Sequence, residues 1–184
     1  MKRFRTILLP ALCLTYAAAC RQAPAGPAVA VEANSNQVTV GMRLKITEAG
    51  TLKADLTADT AITPERQTVT QLRKVHLLIY EPGRPPSDLK SKTGEYDQQN
   101  GMMTARGNVV LVTKGDRATR TITTQELHWD QRADRVWSTV ETTIVEGGQT
   151  LIADGFNSNS AFTNVQGTNP RVKGVRVGES GIRF

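Results

Sequence analysis

The chain has 184 residues, with 23 Lys and Arg against 17 Asp and Glu, and with only two Cys and two His. Three of the positive charges, Lys2, Arg3 and Arg5, precede an apolar run, so removal of that leader lowers the net charge from +6 to +3. This mildly basic remainder argues against a dedicated nucleic-acid-binding protein, which would carry clustered Lys and Arg.

Residues 1–19 have the pattern of a signal peptide of the lipoprotein type. The apolar run is shorter than the roughly 20 residues of a membrane span and contains Pro10. Three small residues, all alanine, precede Cys20, and small residues are what a lipoprotein signal peptidase selects, although Ala17 stands where Leu or Val is common. We favour lipidation of Cys20 over ordinary cleavage nearby and over an uncleaved anchor. Cys13 leaves with the leader, so the mature chain can form no internal disulfide.

The segment 20–37 joins the candidate lipid anchor Cys20 to the rest of the chain. It is rich in Ala, Pro, Asn, Gln and Ser and has no apolar period, which is typical of a flexible linker. Fully extended, it reaches at most roughly 55 to 60 Å, enough to lift a domain off a bilayer. The stretch 38–165 has the length of one domain. Residues 166–184 alternate Arg, Lys and Val between glycines, which predicts an edge strand or a disordered tail, with a protected edge as a third alternative.

Alternation with a period of two predicts strands through most of 38–165. In "MMTARGNVVLVT", residues 102–113, one face carries Met103, Ala105, Gly107, Val109 and Leu111. In "VWSTVETTIV", residues 136–145, one face carries Val136, Ser138, Val140, Thr142 and Ile144. The run "VTQLRKVHLLIY", residues 69–80, alternates imperfectly. These runs indicate an all-β sandwich, roll or barrel.

The strands belong to units that repeat at a spacing of about 30 to 35 residues. Two of these units share an aromatic residue followed by Asp, a polar turn and a β-rich run, beginning at Tyr96 and at Trp129. Glycine-containing connections such as "EPGRPP" and "EGGQ" separate the strands. The chain is therefore predicted to be a stack of antiparallel strand-turn-strand units.

No catalytic constellation can be assembled from the sequence. His76 and His128 both lie in strand patterns and lack the spacing of a metal-binding pair. Four carboxylates recur at equivalent places in the units, Glu95, Asp97, Glu126 and Asp130. We interpret the two Asp as turn residues rather than as half of an acid–base pair. We therefore expect no enzyme activity, no cofactor and no metal.

A β-roll that does not close completely would present a trough of apolar side chains. An acyl chain lying in such a trough gains about 0.8 kcal/mol for each buried CH₂ group. The alternative, which the residues leave open, is that the same faces meet in a dry core.

Three pieces of the sequence together resemble a known family: "ARGNVVL" (105–111), "T-x-x-L-x-W-D" (124–130) and "L-x-A-D-G-F" (151–156). They resemble LptC, the periplasmic lipopolysaccharide (LPS) export component, and the wider group with LptA and the N-terminal domain of LptD. The resemblance covers roughly 52–165. It implies a single twisted, open β-jelly-roll and a non-enzymatic component that takes LPS from the membrane subunits of an ABC transporter. The acyl chains would lie in the trough, and LPS would pass to an LptA-like jelly roll paired edge to edge.

The resemblance also implies which positions line the trough. Those expected to face it are Leu77, Ile79, Val109, Leu111, Trp129, Val136, Val140, Ile144 and Phe156. A shift of one residue in the register of a strand would turn its trough-lining side chains outward.

Two features depart from the family pattern. Members often carry an uncleaved transmembrane helix where this chain has a lipoprotein-type leader, and Arg21 replaces the Asp that retains some lipoproteins in the inner membrane. We expect a periplasmic protein anchored to a membrane of a Gram-negative-type envelope, the inner rather than the outer. The alternatives are a membrane-anchored β scaffold with no lipid in its core and a soluble LptA-like bridge.

Overall fold

The computed structural model describes residues 36–114 and 118–172, which form one sheet of 12 antiparallel strands. The predicted leader, Cys20 and the tail beyond residue 172 lie outside the described residues. None of the described residues belongs to a helix that could span a membrane. The strands are β1 (Gln37–Glu48), β2 (Thr51–Thr63), β3 (Val69–Ile79), β4 (Ser87–Asp97), β5 (Met102–Lys114), β6 (Thr119–Asp130), β7 (Arg135–Ser138), β8 (Thr142–Glu146), β9 (Gln149–Ala153), β10 (Gly155–Ser158), β11 (Gln166–Thr168) and β12 (Arg171–Val172).

The sheet is a simple meander that divides at its C-terminal end. Strands β1 to β6 pair in chain order. The first half of β6 then pairs with β8, which continues to β9 and β12, and its second half pairs with β7, which continues to β10 and β11. One long strand thus carries two short branches, and the predicted all-β, open antiparallel architecture is confirmed.

Four of the long strands shift their alternation near the middle. In β2, β3, β4 and β6 the buried positions step by three residues at one point instead of two, at Ala58/Ala61, Leu72/Val75, Ser91/Gly94 and Thr124/Leu127. These positions lie beside one another across the sheet, because Ala58 pairs with Val75 and Leu72 pairs with Gly94. The irregularity therefore forms a continuous column, which is why β3 alternates imperfectly.

In β5 the same column is a β-bulge. Gly107 and Asn108 have φ values of +76° and +51°, and the register with β6 shifts between Arg106 and Val109. A bulge bends its strand and re-aims the side chains beyond it. Since β2 to β6 all carry an irregularity at this level, both halves of the sheet keep their apolar face toward one interior.

That interior is a single cluster of buried side chains to which strands β1 to β8 and β10 contribute. Outward positions on the same strands are exposed or half-buried. We call the inner face of the bent sheet the trough.

The predicted turn residues act as expected. The Asp97 carboxylate accepts the backbone N–H groups of Gln99 and Asn100. The Asp130 carboxylate accepts those of Arg132 and Ala133 in the same way. The repeated aromatic–Asp pair thus places Asp in a hydrogen-bonded turn at the end of β4 and of β6, and the turn interpretation is confirmed.

Candidate lipid-binding trough

Eight of the nine side chains expected to line the trough point into it. Each is at most 7% exposed, and all belong to the buried cluster: Leu77, Ile79, Val109, Leu111, Trp129, Val136, Ile144 and Phe156. They come from β3, β5, β6, β7, β8 and β10, so the described part of the trough runs across most of the sheet. Alternation on the strand is sufficient to orient them.

The prediction for Val140 is wrong. Its side chain is 37% exposed, and it lies between β7 and β8 rather than on a strand. The run 136–145 is interrupted after Ser138, where the chain crosses from one branch of the sheet to the other. The carbonyl of Val140 accepts hydrogen bonds from the hydroxyls of Ser138 and Thr142, which fixes the bend and turns the isopropyl group outward.

The filling of the trough differs between its ends. Beside β1 and β2 the interior is lined by small or aliphatic side chains, including Ala54, Ala58 and Ala61. Around β6 and β10 it holds the three largest of the fully buried side chains, Trp129, Phe156 and Phe162. The sequence patterns missed Phe162, because it lies in the loop 159–165 between β10 and β11, where no alternation exists to reveal an inward side chain.

Several hydroxyl groups lie among these apolar side chains. Ser87 donates to Thr113 at 2.9 Å, and Thr124 and Ser138 are hydrogen-bonded at 3.2 Å. The indole N–H of Trp129 donates to the hydroxyl of Ser160 at 3.1 Å. Because each of these buried groups has a hydrogen-bond partner, none of them presents an unpaired polar atom to an apolar ligand in the trough.

The N-terminal end of the trough is its less covered end. Strand β1 is an edge strand of 12 residues, and Met42 and Leu44 on its inner face remain partly exposed. A cleft of about 380 Å³ opens there between β1 and the turns that follow β4 and β6. Leu44, Ile46 and Tyr96 contribute to its lining, together with the charged residues Lys45, Glu48 and Arg132.

Two ionisable groups lie near the line where the halves of the bent sheet approach each other. Burial raises the pKa of Tyr96, which is only 5% exposed. Burial also raises the pKa of Glu81, opposed by Lys53 and reinforced by the Asp134 carboxylate. Glu81 follows β3 and Asp134 precedes β7, so opposite rims of the sheet come close together here.

The outer face carries several ion pairs. Arg106 on β5 contacts Glu95 at 2.9 Å and Glu126 at 2.7 Å, and Glu126 also accepts from His128 at 2.8 Å. The hydrogen bond from Arg106 lowers the pKa of Glu126, as does that from His128. The second histidine, His76, lies 3.1 Å from the carboxylate of Asp88 without hydrogen-bond geometry. In ranges 36–114 and 118–172 no cluster of three or more His, Cys, Asp or Glu side chains could hold a metal ion.

Comparison with known proteins agrees with this architecture. The family described as Lipopolysaccharide-assembly, LptC-related matches residues 7–165. The chain belongs to the LptC-related family. No curated protein matches it. Since this family consists of transport components, membership assigns the chain to lipopolysaccharide transport.

A solved structure shares the fold. It is LptH from Pseudomonas aeruginosa, the LptA-homologous periplasmic component of a lipopolysaccharide transport device. The superposition has a TM-score of 0.50 at 18% sequence identity and covers 71% of this chain and 90% of LptH. The β-jelly-roll expected for an LptC-related protein is therefore confirmed.

Proposed function

We propose that this LptC-related protein binds LPS through its acyl chains and transfers it from the membrane subunits of an ABC transporter to an LptA-like periplasmic jelly roll. The observation that carries the proposal is the continuous apolar trough, in which Val109, Leu111 and Trp129 are at most 1% exposed. Acyl chains gain free energy by replacing water contacts with contacts to such a surface. Energy for net transfer is supplied by the transporter.

Side chains fill the described trough, so binding requires it to widen. Opposite rims of the sheet approach each other along a line that passes near Glu81, which follows β3, and Asp134, which precedes β7. Separation along this line exposes the trough without breaking strand pairs. This route keeps the sheet intact while acyl chains replace contacts between side chains.

The edges of the sheet supply the contacts to neighbours. A strand of a second jelly roll can add to an unpaired edge through backbone hydrogen bonds. Strand β1 begins where the linker 20–37 ends, so it is the edge nearest the anchor and the one that suits the transporter. The C-terminal edge, with β11 and β12, then faces the LptA-like partner.

Attachment depends on Cys20. A lipidated cysteine with two or more acyl chains binds a bilayer stably. The linker lets the jelly roll remain within about 60 Å of the inner membrane, on its periplasmic side. Replacement of Cys20 by Ala should release the protein into the periplasm. Unchanged localisation would instead support a soluble LptA-like bridge.

Site-specific photo-crosslinking tests LPS binding. A photoreactive residue at Val109 should capture LPS in cells, whereas the same residue at Val140 or Thr139, outside the trough, should not. Capture confined to Val140 and Thr139 would contradict the proposal.

The second candidate is a membrane-anchored scaffold with a dry interior, favoured by the close filling of the trough. Protein purified from membranes separates the two candidates. A scaffold carries no LPS in its mass spectrum, while a transfer protein carries it in an amount that falls when Val109 is replaced by Asp, provided that the variant remains folded.

A further inference from the structure

The loop 159–165 crosses the C-terminal end of the trough and bonds to both halves of β6. Near the end of β6, Trp129 donates to the Ser160 hydroxyl, and the Ser160 backbone N–H donates to Asp134 at 3.0 Å. Near the start of β6, Arg120 donates from its guanidinium to the carbonyl oxygen of Phe162 at 2.8 Å. The loop is therefore held across the bend of the sheet by a few polar contacts.

Phe162 fills the trough from this loop in an unusual backbone conformation. Its ring is 2% exposed and belongs to the buried cluster, and its φ is +53°. A left-handed conformation is costly for a bulky side chain and persists only where the surroundings impose it. The surroundings here are the hydrogen bonds of the loop and the apolar pocket around the ring, so the ring occupies that space at a conformational cost.

A second space lies beside the loop. Arg120 pairs with Glu146 through two nitrogens, at 2.8 and 3.0 Å, while it holds the Phe162 carbonyl. Glu146 also lines an open cleft of about 480 Å³ whose apolar members are Ala118, Ile144, Leu151 and Val172. The loop and this cleft are thus linked through the Arg120–Glu146 ion pair.

We propose that the loop 159–165 is a displaceable plug, and that the space held by the Phe162 ring is an acyl-chain site at the C-terminal end of the trough. The inference rests on the proposed function. The Phe162 ring fills the apolar space that an acyl chain would occupy. Water can replace the polar contacts that hold the loop in place. When the loop swings away, an acyl chain takes the place of the ring and reaches the cleft between β8, β9 and β12.

Competition between the ring and the lipid predicts the direction of the effect. A ligand that binds only the displaced state has an apparent Kd equal to its intrinsic Kd divided by the fraction of time that the plug is displaced. Phe162→Gly removes the ring and accepts a positive φ. It should lower the apparent Kd for purified LPS at least threefold, and Phe162→Leu should lower it less.

Trp129 provides a readout that a fixed wall would not give. The chain has two tryptophans, so Trp137→Phe leaves Trp129 alone. In this background, titration of purified LPS should change the Trp129 emission saturably, because the bond from its indole to Ser160 is lost when the loop leaves. Val140→Ala is the control, since Val140 is 37% exposed and belongs neither to the trough nor to the loop. It should not lower the Kd.

The outcomes separate the inference from the function on which it rests. Suppose that Val109 still captures LPS, but that Phe162→Gly leaves the Kd and the Trp129 emission response unchanged. The loop is then a fixed wall and the inference is overturned, while the proposed function stands. If a photoreactive residue at Val109 captures no LPS in the wild type or in Phe162→Gly, the inference and the proposed function both fail. Should Phe162→Gly not fold, Arg120→Gln keeps the ring, releases the loop carbonyl and should lower the Kd in the same direction; an unchanged Kd overturns the inference.

Discussion

Arg106 and Glu126 form an ion pair at 2.7 Å across the outer face of β5 and β6, immediately beside the bulge at Gly107 and Asn108. The pair connects the two strands where their register shifts and where backbone pairing is interrupted. Its position suggests that it stabilises the bend rather than taking part in chemistry. Both side chains are partly exposed, so the contribution of the pair to stability is modest.

The first prediction concerns acid stability. The pKa of Glu126 is lowered in the folded chain by Arg106. The associated stability is therefore present above the usual carboxyl pKa near 4.5 and is lost as the pH falls through the lower, folded value. Glu126→Gln should reduce the free energy of unfolding by about 0.5 to 1 kcal/mol at pH 7. The difference from wild type should therefore shrink progressively as the pH falls below about 4.5.

Urea unfolding at several pH values measures this difference. Glu141→Gln is the control, because the Glu141 side chain is 74% exposed and lies 3.7 Å from its cation. A Glu126→Gln deficit that persists unchanged at pH 3 would show that the loss does not come from the charge.

The second prediction tests which valines and leucines face the trough. Leu111 is fully buried, so Leu111→Ala should lower the free energy of unfolding by about 2 to 4 kcal/mol. Val140 is exposed, so Val140→Ala should change it by no more than about 0.5 kcal/mol. Chemical denaturation of both variants measures the contrast. Equal losses of unfolding free energy in the two variants would show that the Val140 side chain is buried as well.

These two residues also show what a sequence pattern can and cannot determine. Alternation orients Leu111 correctly, because β5 is one continuous strand and its bulge inserts enough residues to restore the inward face. The same reasoning fails at Val140, because a segment that crosses between two branches of a sheet can have the same alternating sequence pattern as a strand. Periodicity reports the face of a residue only within an unbroken ladder.

Phe162 illustrates a second limit. Its orientation depends on hydrogen bonds to Arg120, 42 positions earlier in the chain, and on Ser160 beneath Trp129. No local pattern encodes contacts of this range. Asp97 and Asp130 are the opposite case, because their bonds reach only two or three residues along the chain and follow from turn chemistry alone.

The third prediction concerns close approach of two strands. A Cβ atom on Gly155 would lie 2.5 Å from the carbonyl oxygen of Ser138 and 3.3 Å from the Thr139 Cα, both of them backbone atoms. Gly155→Ala should therefore force β10 away from β7 and cost about 2 to 3 kcal/mol. Gly50→Ala is the control: it has a φ of +79° but open space, and should cost only about 1 kcal/mol. Thermal unfolding that ranks Gly50→Ala as the more damaging change would contradict the steric argument.

The last prediction concerns the exposed edge. Val38 and Val40 are 58% and 79% exposed on β1, the strand nearest the linker. A strand added to this edge would place its own side chains beside them, as cross-strand neighbours. A photoreactive residue at Val40 should therefore capture a membrane subunit of the transporter in cells. The same residue at Val112, which is 36% exposed on the central strand β5, should not, because β5 is already paired on both sides.

A charged pair of substitutions completes this test. Val38→Lys with Val40→Lys should leave the free energy of unfolding within about 0.5 kcal/mol of wild type, since both side chains already face solvent. It should nevertheless weaken co-purification of the transporter, because lysine on an edge strand discourages pairing with another strand. Wild-type co-purification together with identical crosslinks at Val40 and Val112 would mean that β1 is not the docking edge, and that the transporter contacts another face of the jelly roll.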